Sequence, residues 1–141
     1  NWQAKWLWGK NNGSMRLFRR KFELKDRPVK YSSHYCFKYL LLYVNGSYVA
    51  RGPARNTPHH QSYDTWNLDD YLVKGTNIVA VKVHFQNGVT SYHHQGRAGL
   101  LAQLALTVED EVMTIGSNEE WLSNVDKSWS DDEIKMSRFH Q

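Results

Sequence analysis

The chain has 141 residues, the length of one domain, and its 40% hydrophobic and 23% charged residues exclude a disordered polymer. Its net charge of +4 comes from basic residues that are scattered apart from the run Arg19–Arg20–Lys21, whereas nucleic-acid-binding domains usually concentrate positive charge on one face or element. No apolar run approaches the ~20 residues that a membrane helix needs, and the single Cys36 excludes an internal disulfide. We therefore expect one globular domain over residues 1–141 that binds neither nucleic acid nor a membrane.

The first half of the chain contains short runs of alternating apolar residues, which predict strands, and almost no helical periodicity. The run over residues 18–24 places Arg20 among apolar side chains, a position that we assign to a sheet edge. The strongest run covers residues 35–44 and ends at Asn45–Gly46, the preferred pair for a two-residue hairpin turn. Residues 47–50 then form the returning strand.

The second half continues this pattern after a long irregular segment, residues 51–63, whose prolines and glycine exclude a regular element. Residues 77–85 predict a central strand, because both faces of its beginning are apolar. A second polar loop covers residues 86–97, and a hairpin covers residues 100–115 with its turn at residues 109–111. Roughly eight short strands at this spacing predict an all-β, jelly-roll β-sandwich.

Catalytic motifs are not evident in the sequence. Glycoside hydrolysis uses two facing carboxylates, but Asp69–Asp70 and residues 131–133 are adjacent acids of the kind found in solvated turns. The chain has no nucleophile elbow, phosphate-binding glycine loop or zinc-protease motif. We therefore expect no catalysis by this chain alone.

Histidines occur as two adjacent pairs, His59–His60 and His93–His94, each within a long loop. Adjacent side chains of an extended loop point apart, so each pair offers one zinc ligand at best. We predict no metal site. A calcium site built from loop oxygens fits a jelly roll better than zinc does, but no motif marks it.

The two long loops carry planar donors and aromatic faces, the groups that bind the vicinal hydroxyls and the C–H surface of a sugar. The same residue types also contact neighbouring domains, so the sequence leaves carbohydrate binding and inter-domain contact as alternatives. The candidate residues are Arg51, Arg55, His59, Tyr63, Trp66, Tyr92, His93 and Arg97.

Five stretches occur in an order that resembles the N-terminal accessory β-sandwich of bacterial α-L-rhamnosidases. They are YVNG at 43–46, VARGPAR at 49–55, YDT at 63–65, LDDYL at 68–72 and GTNIVAV at 75–81. Most of this pattern is shared by galactose-binding-like jelly-roll domains of many glycosidases. The RGPAR stretch at 51–55 narrows the resemblance to rhamnosidases.

The resemblance implies a galactose-binding-domain-like fold in a fragment of a larger glycoside hydrolase, an α-L-rhamnosidase whose separate catalytic barrel is missing here. The chain would then bind a rhamnose-containing carbohydrate or brace the catalytic domain, without a cofactor other than calcium. We expect a periplasmic or secreted location, although Cys36 is compatible with the cytoplasm too. The alternative is a stand-alone structural or protein-interaction sandwich that forms a homo-oligomer through an edge strand.

Overall fold

A computed structural model describes residues 2–8, 15–26, 32–36, 40–52, 63–85 and 99–126 of the chain. These residues form nine β-strands and, among themselves, no helix. The strands are β1 (Met15–Leu24), β2 (Ser32–Cys36), β3 (Leu40–Val44), β4 (Ser47–Gly52), β5 (Asp64–Trp66), β6 (Gly75–His84), β7 (Leu100–Val108), β8 (Glu111–Gly116) and β9 (Leu122–Val125).

The strands form two antiparallel sheets. The five-stranded sheet has the order β4-β3-β6-β1-β9, and the four-stranded sheet has the order β5-β2-β7-β8. Strand β6 pairs with β1 on one side and β3 on the other, so the prediction of a central strand there is confirmed. No helix in the described part of the chain is long and apolar enough to cross a membrane.

The hydrophobic core lies between the two sheets, because alternate residues of each long strand point inward. The inward positions of both sheets belong to one buried cluster, and burial of each large aliphatic side chain contributes roughly 1.5–3 kcal/mol. Its members on the central strands are Leu40, Leu42, Val44, Val79, Val81, Val83, Leu100, Ala102, Leu104 and Leu106. The predicted all-β sandwich is therefore confirmed.

Both predicted hairpins are present. At the first turn Asn45 and Gly46 have φ of 50° and 81°, the positive values that a two-residue turn of this kind requires. At the second turn Glu109 and Asp110 have φ of 50° and 66°, and they join β7 directly to β8.

One expectation about the strands is wrong, and one strand was missed. Residues 35–44 are not one strand, because β2 ends at Cys36 in the four-stranded sheet and β3 begins at Leu40 in the five-stranded sheet. Both faces of this run are apolar, so the sequence does not mark where the chain changes layers. Strand β9 was not predicted either, because its Leu122, Ser123 and Asn124 are all exposed and show no alternation.

Arg20 lies where β1 is locally a sheet edge, as expected. The pairing of β1 with β9 ends at Arg19, so beyond it β1 is bonded only to β6. There the Arg20 guanidinium contacts the carboxylate of Glu120 and donates to the carbonyl of Lys21 at 3.2 Å.

The segment of residues 2–8 runs along the four-stranded sheet. Leu7 and Leu100 exchange two backbone hydrogen bonds of 2.9 Å, and the Lys5 N–H donates to the Ser117 carbonyl at 2.7 Å. The Lys5 ammonium also donates to the Glu119 carboxylate at 2.9 Å, and this hydrogen bond lowers the pKa of Glu119. The segment therefore extends the sheet beyond the end of β8.

Candidate functional site

Three of the eight residues predicted from the sequence are described by the structure: Arg51, Tyr63 and Trp66. The other five lie outside the described residues. They are Arg55, His59, Tyr92, His93 and Arg97.

Trp66 packs where the edge strands of the two sheets approach each other. It lies on β5 and is half-buried against the core cluster. A Cβ atom added to Gly52, at the end of β4, would lie 3.0 Å from Cζ2 of Trp66 and would also clash with Asp64. A side chain at this position would therefore displace Asp64 and press on the Trp66 ring, which lies against the backbone of Gly52.

Arg51 and Trp66 lie on different surfaces. Gly52 is aligned with buried Leu40, so its neighbour Arg51 lies on the outer face of the five-stranded sheet. Trp66, in contrast, belongs to the inner face of the four-stranded sheet. Tyr63 is 50% exposed and meets Trp2 edge-to-face, with ring centroids 6.0 Å apart. The described residues therefore do not bring Arg51 and Trp66 into one site.

A groove on the outer face of the five-stranded sheet is a second candidate site, which sequence reasoning missed. We call it the sheet groove, and it encloses about 710 Å³. The described residues that line it are Leu17, Phe18, Arg19, Tyr43, Ala80, Val81, Lys82, Leu122, Ser123, Asn124 and Asp126.

The sheet groove is concave because a small residue lies between large ones. Strand register aligns Tyr43 of β3 with Ala80 of β6, Ala80 with Arg19 of β1, and Arg19 with Leu122 of β9. Directly opposed residues of neighbouring strands lie on the same face, about 4.5–5.5 Å apart at Cβ. The methyl group of Ala80 is therefore the floor, and the longer neighbouring side chains form the walls.

Aromatic and charged groups occupy different parts of the sheet groove. Tyr43 meets Tyr48 edge-to-face at 5.8 Å, and the Tyr48 ring is half-exposed. The Lys82 ammonium on β6 and the carboxylate of Asp126, the residue after β9, form an ion pair of 2.6 Å. Their side chains are 27% and 10% exposed, so solvent reaches Lys82 more readily than Asp126.

Within the described ranges, no three His, Cys, Asp or Glu side chains cluster closely enough to hold a metal ion. The described lining of the sheet groove combines aromatic and aliphatic surface with hydrogen-bond donors and acceptors. This combination suits a ligand that has both C–H faces and hydroxyl groups.

Comparison with known proteins gives structural matches. No protein-family model and no curated protein sequence matches the chain. The GH78 rhamnosidase of Bacillus sp. GL1 matches it with a TM-score of 0.76 and 28% identity, over 88% of this chain and 13% of that one. The α-L-rhamnosidase of Dictyoglumus thermophilum matches with a TM-score of 0.76 and 19% identity, over 89% of this chain and 17% of that one.

The chain resembles a domain of α-L-rhamnosidases. The resemblance predicted from the sequence is thus confirmed, and the chain spans only a small part of these relatives. A lectin from Pleurotus ostreatus, solved in complex with GalNAc, shares the fold with a TM-score of 0.62 and 17% identity. That match covers 85% of this chain and 35% of the lectin.

Proposed function

We propose that this rhamnosidase-like chain is a non-catalytic accessory domain of a larger α-L-rhamnosidase and that it binds carbohydrate in the sheet groove. The observation that carries the proposal is that Tyr43 and the Lys82–Asp126 ion pair line one concave surface. The proposed site lies on the sheet face, whereas the sequence had suggested the loops.

The physical argument for a sugar rests on two complementary surfaces. The C–H faces of successive pyranose rings in an oligosaccharide can cover Tyr43 at one end of the row and Leu17 and Leu122 towards the other, which removes apolar area from water. The sugar hydroxyls can accept hydrogen bonds from Lys82, because its ammonium carries three N–H donors and its side chain is more exposed than that of Asp126. An open groove buries a ligand only partly, so we expect dissociation constants of roughly 1 mM, about 4 kcal/mol of binding.

Two further observations favour an accessory role. The relatives contain this fold as 13–17% of much longer chains, which supports a domain that works beside others. Asp126 is the one carboxylate among the described residues that line the groove, and glycoside hydrolysis canonically uses two.

Titration of the chain with L-rhamnose and a rhamnose-containing oligosaccharide, followed by amide chemical shifts, tests the proposal. We expect saturable shifts in β1, β6 and β9. Tyr43→Ala should weaken binding roughly tenfold, since it removes the aromatic face. Tyr63→Ala is the matched control, because it removes an exposed tyrosine that does not line the sheet groove.

Each result of this titration has a distinct meaning. Loss of binding in Tyr63→Ala but not in Tyr43→Ala would move the site to the loops, and no response to any sugar would contradict carbohydrate binding. A parallel titration with calcium tests whether the ion contributes, because binding would then strengthen only in its presence.

Contact with a neighbouring domain is the second candidate function. Leu17 and Leu122 are 40% and 59% exposed on the face that carries the sheet groove, and exposed aliphatic side chains are common in protein interfaces. This function predicts that amide hydrogen exchange of β1 and β9 is slower in the longer protein than in the isolated domain. Analytical ultracentrifugation tests whether a second copy of this chain, rather than a neighbouring domain, covers this face.

A further inference from the structure

We propose that the sheet groove selects sugars that carry a carboxylate, and that Arg19 binds this carboxylate. The inference rests on the proposed carbohydrate binding and adds to it the charge class of the ligand. It is carried by the position of Arg19, the charges around it and the shape of the surface beside it.

Arg19 lies in the groove without an acidic neighbour. Its directly opposed residues are Ala80 on one side and Leu122 on the other, neither of which is charged. The side chain is exposed, and it forms no ion pair with any residue in the described part of the chain. A guanidinium in this position has its full set of donors available for a ligand.

The charges near Arg19 make this part of the groove positive. Lys21 lies two residues further along β1 and therefore on the same face, and Lys82 is aligned with Leu17, two residues from the row of Arg19. Glu23, the next residue of β1 on this face, lies beyond Lys21 and accepts a hydrogen bond from the Thr76 hydroxyl. Asp126 is committed to Lys82 at 2.6 Å. Among the described lining residues of the groove, two cations, Arg19 and Lys82, thus accompany one carboxylate, Asp126, and an incoming anion reduces the repulsion between the two cations.

A carboxylate on a sugar ring matches this arrangement better than a neutral sugar or a small free anion does. The planar guanidinium of Arg19 can bind a carboxylate through two parallel hydrogen bonds. The ring that carries the carboxylate would then lie over Ala80, between Arg19 and Tyr43, where it gains apolar contact. A free inorganic anion would gain the charge interaction without the ring contact.

The experiment compares a uronate oligosaccharide with its own neutral form. The probes are tetragalacturonate and its methyl ester, together with the neutral rhamnose-containing oligosaccharide, each titrated into the whole chain by calorimetry and by amide chemical shifts. We expect the free acid to bind roughly tenfold more tightly than the ester, as is typical of a charge-assisted hydrogen bond. This difference should shrink at about 0.5 M salt, because the groove is open to screening ions.

Two variants assign the effect to Arg19. In Arg19→Gln the acid and the ester should bind equally well, while binding of the neutral oligosaccharide is retained. Lys74→Gln is the matched control, because it removes the same charge from an exposed turn residue outside the groove and should leave the tenfold difference intact.

The outcomes separate this inference from the proposed function. If the neutral oligosaccharide and the ester bind as tightly as the acid, selection by charge is wrong and carbohydrate binding stands. A preference for the acid that survives in Arg19→Gln also overturns the assignment. If none of the three probes binds, the inference and the proposed function fail together.

Discussion

Asn77 is a fully buried amide whose four hydrogen-bonding positions are all used. Its Nδ2 donates to the carbonyls of Val73 at 2.7 Å and Gly75 at 3.1 Å. Its Oδ1 accepts from the Val73 N–H and from Asn45 Nδ2, both at 2.9 Å. The Asn45 side chain also bonds to Tyr71 and Ile78, so one pair of asparagines joins the first hairpin turn to the loop before β6.

Substitution of Asn77 should therefore be costly. Asn77→Ala removes four hydrogen bonds, three of them to backbone groups of Val73 and Gly75, and we expect a loss of about 3 kcal/mol in the free energy of unfolding. Urea denaturation of the variant and of the unsubstituted chain measures this loss in the free energy of unfolding. Asn67→Ala, which removes one exposed hydrogen bond to the Asp69 N–H, should cost less than about 1 kcal/mol. Equal losses in the two variants would contradict this explanation.

Among the elements, the N-terminal segment is anchored in part by a buried serine, Ser117. The Ser117 hydroxyl donates to the Lys5 carbonyl at 2.6 Å and accepts from the Ala102 N–H at 3.1 Å. It therefore links residues 2–8, the end of β8 and the beginning of β7. A residue that connects three segments should control the local stability of the least anchored one.

Ser117→Ala tests this dependence. Loss of both hydrogen bonds should lower the free energy of unfolding by about 2 kcal/mol and release the N-terminal segment first. We expect hydrogen exchange of the Leu7 amide to accelerate more than that of the Val81 amide in the core. The control Ser47→Ala removes an exposed hydroxyl in the first hairpin and should leave both rates unchanged. Uniform acceleration in Ser117→Ala would argue for global destabilisation instead.

Strands with one polar and one apolar face were predictable from the sequence, as was the turn at Asn45–Gly46. Strand β7 begins and ends at the predicted residues, because its inward Leu and Ala alternate with half-buried positions. The change of sheet between Cys36 and Leu40 was not predictable, since apolar residues continue through it. Nor was β9, whose place beside β1 depends on pairing between residues about a hundred positions apart.

The sheet groove could not be read from the sequence for a related reason. Tyr43, Ala80, Arg19 and Leu122 come from four separate strands, and only the register aligns them in one row. In each strand alone, an outward apolar residue such as Leu122 looks like an ordinary buried position. Loop residues such as Tyr63 were easier to select because their polar surroundings already indicate exposure.

At the scale of the whole molecule, the first and the last parts of the chain that the structure describes each connect the two sheets. Residues 2–8 bond to β7 in the four-stranded sheet, whereas β1, next in the chain, belongs to the five-stranded sheet. Strand β8 lies in the four-stranded sheet, and β9, which follows it, pairs with β1. Trp121 lies at this second crossing, 6% exposed, and its Nε1 donates to the Gly116 carbonyl at 3.1 Å.

This arrangement predicts that the two sheets unfold as one unit. Trp121→Ala should lower the free energy of unfolding by roughly 3–5 kcal/mol, the usual loss for a large buried aromatic residue. The unfolding transitions measured by far-ultraviolet circular dichroism and by tryptophan fluorescence should shift together. Trp2→Ala, at a 44% exposed position, should cost about 1 kcal/mol through its contact with Tyr63. If the two transitions separated in Trp121→Ala, the sheets would be unfolding independently, and the crossings at the chain ends would not be what couples them.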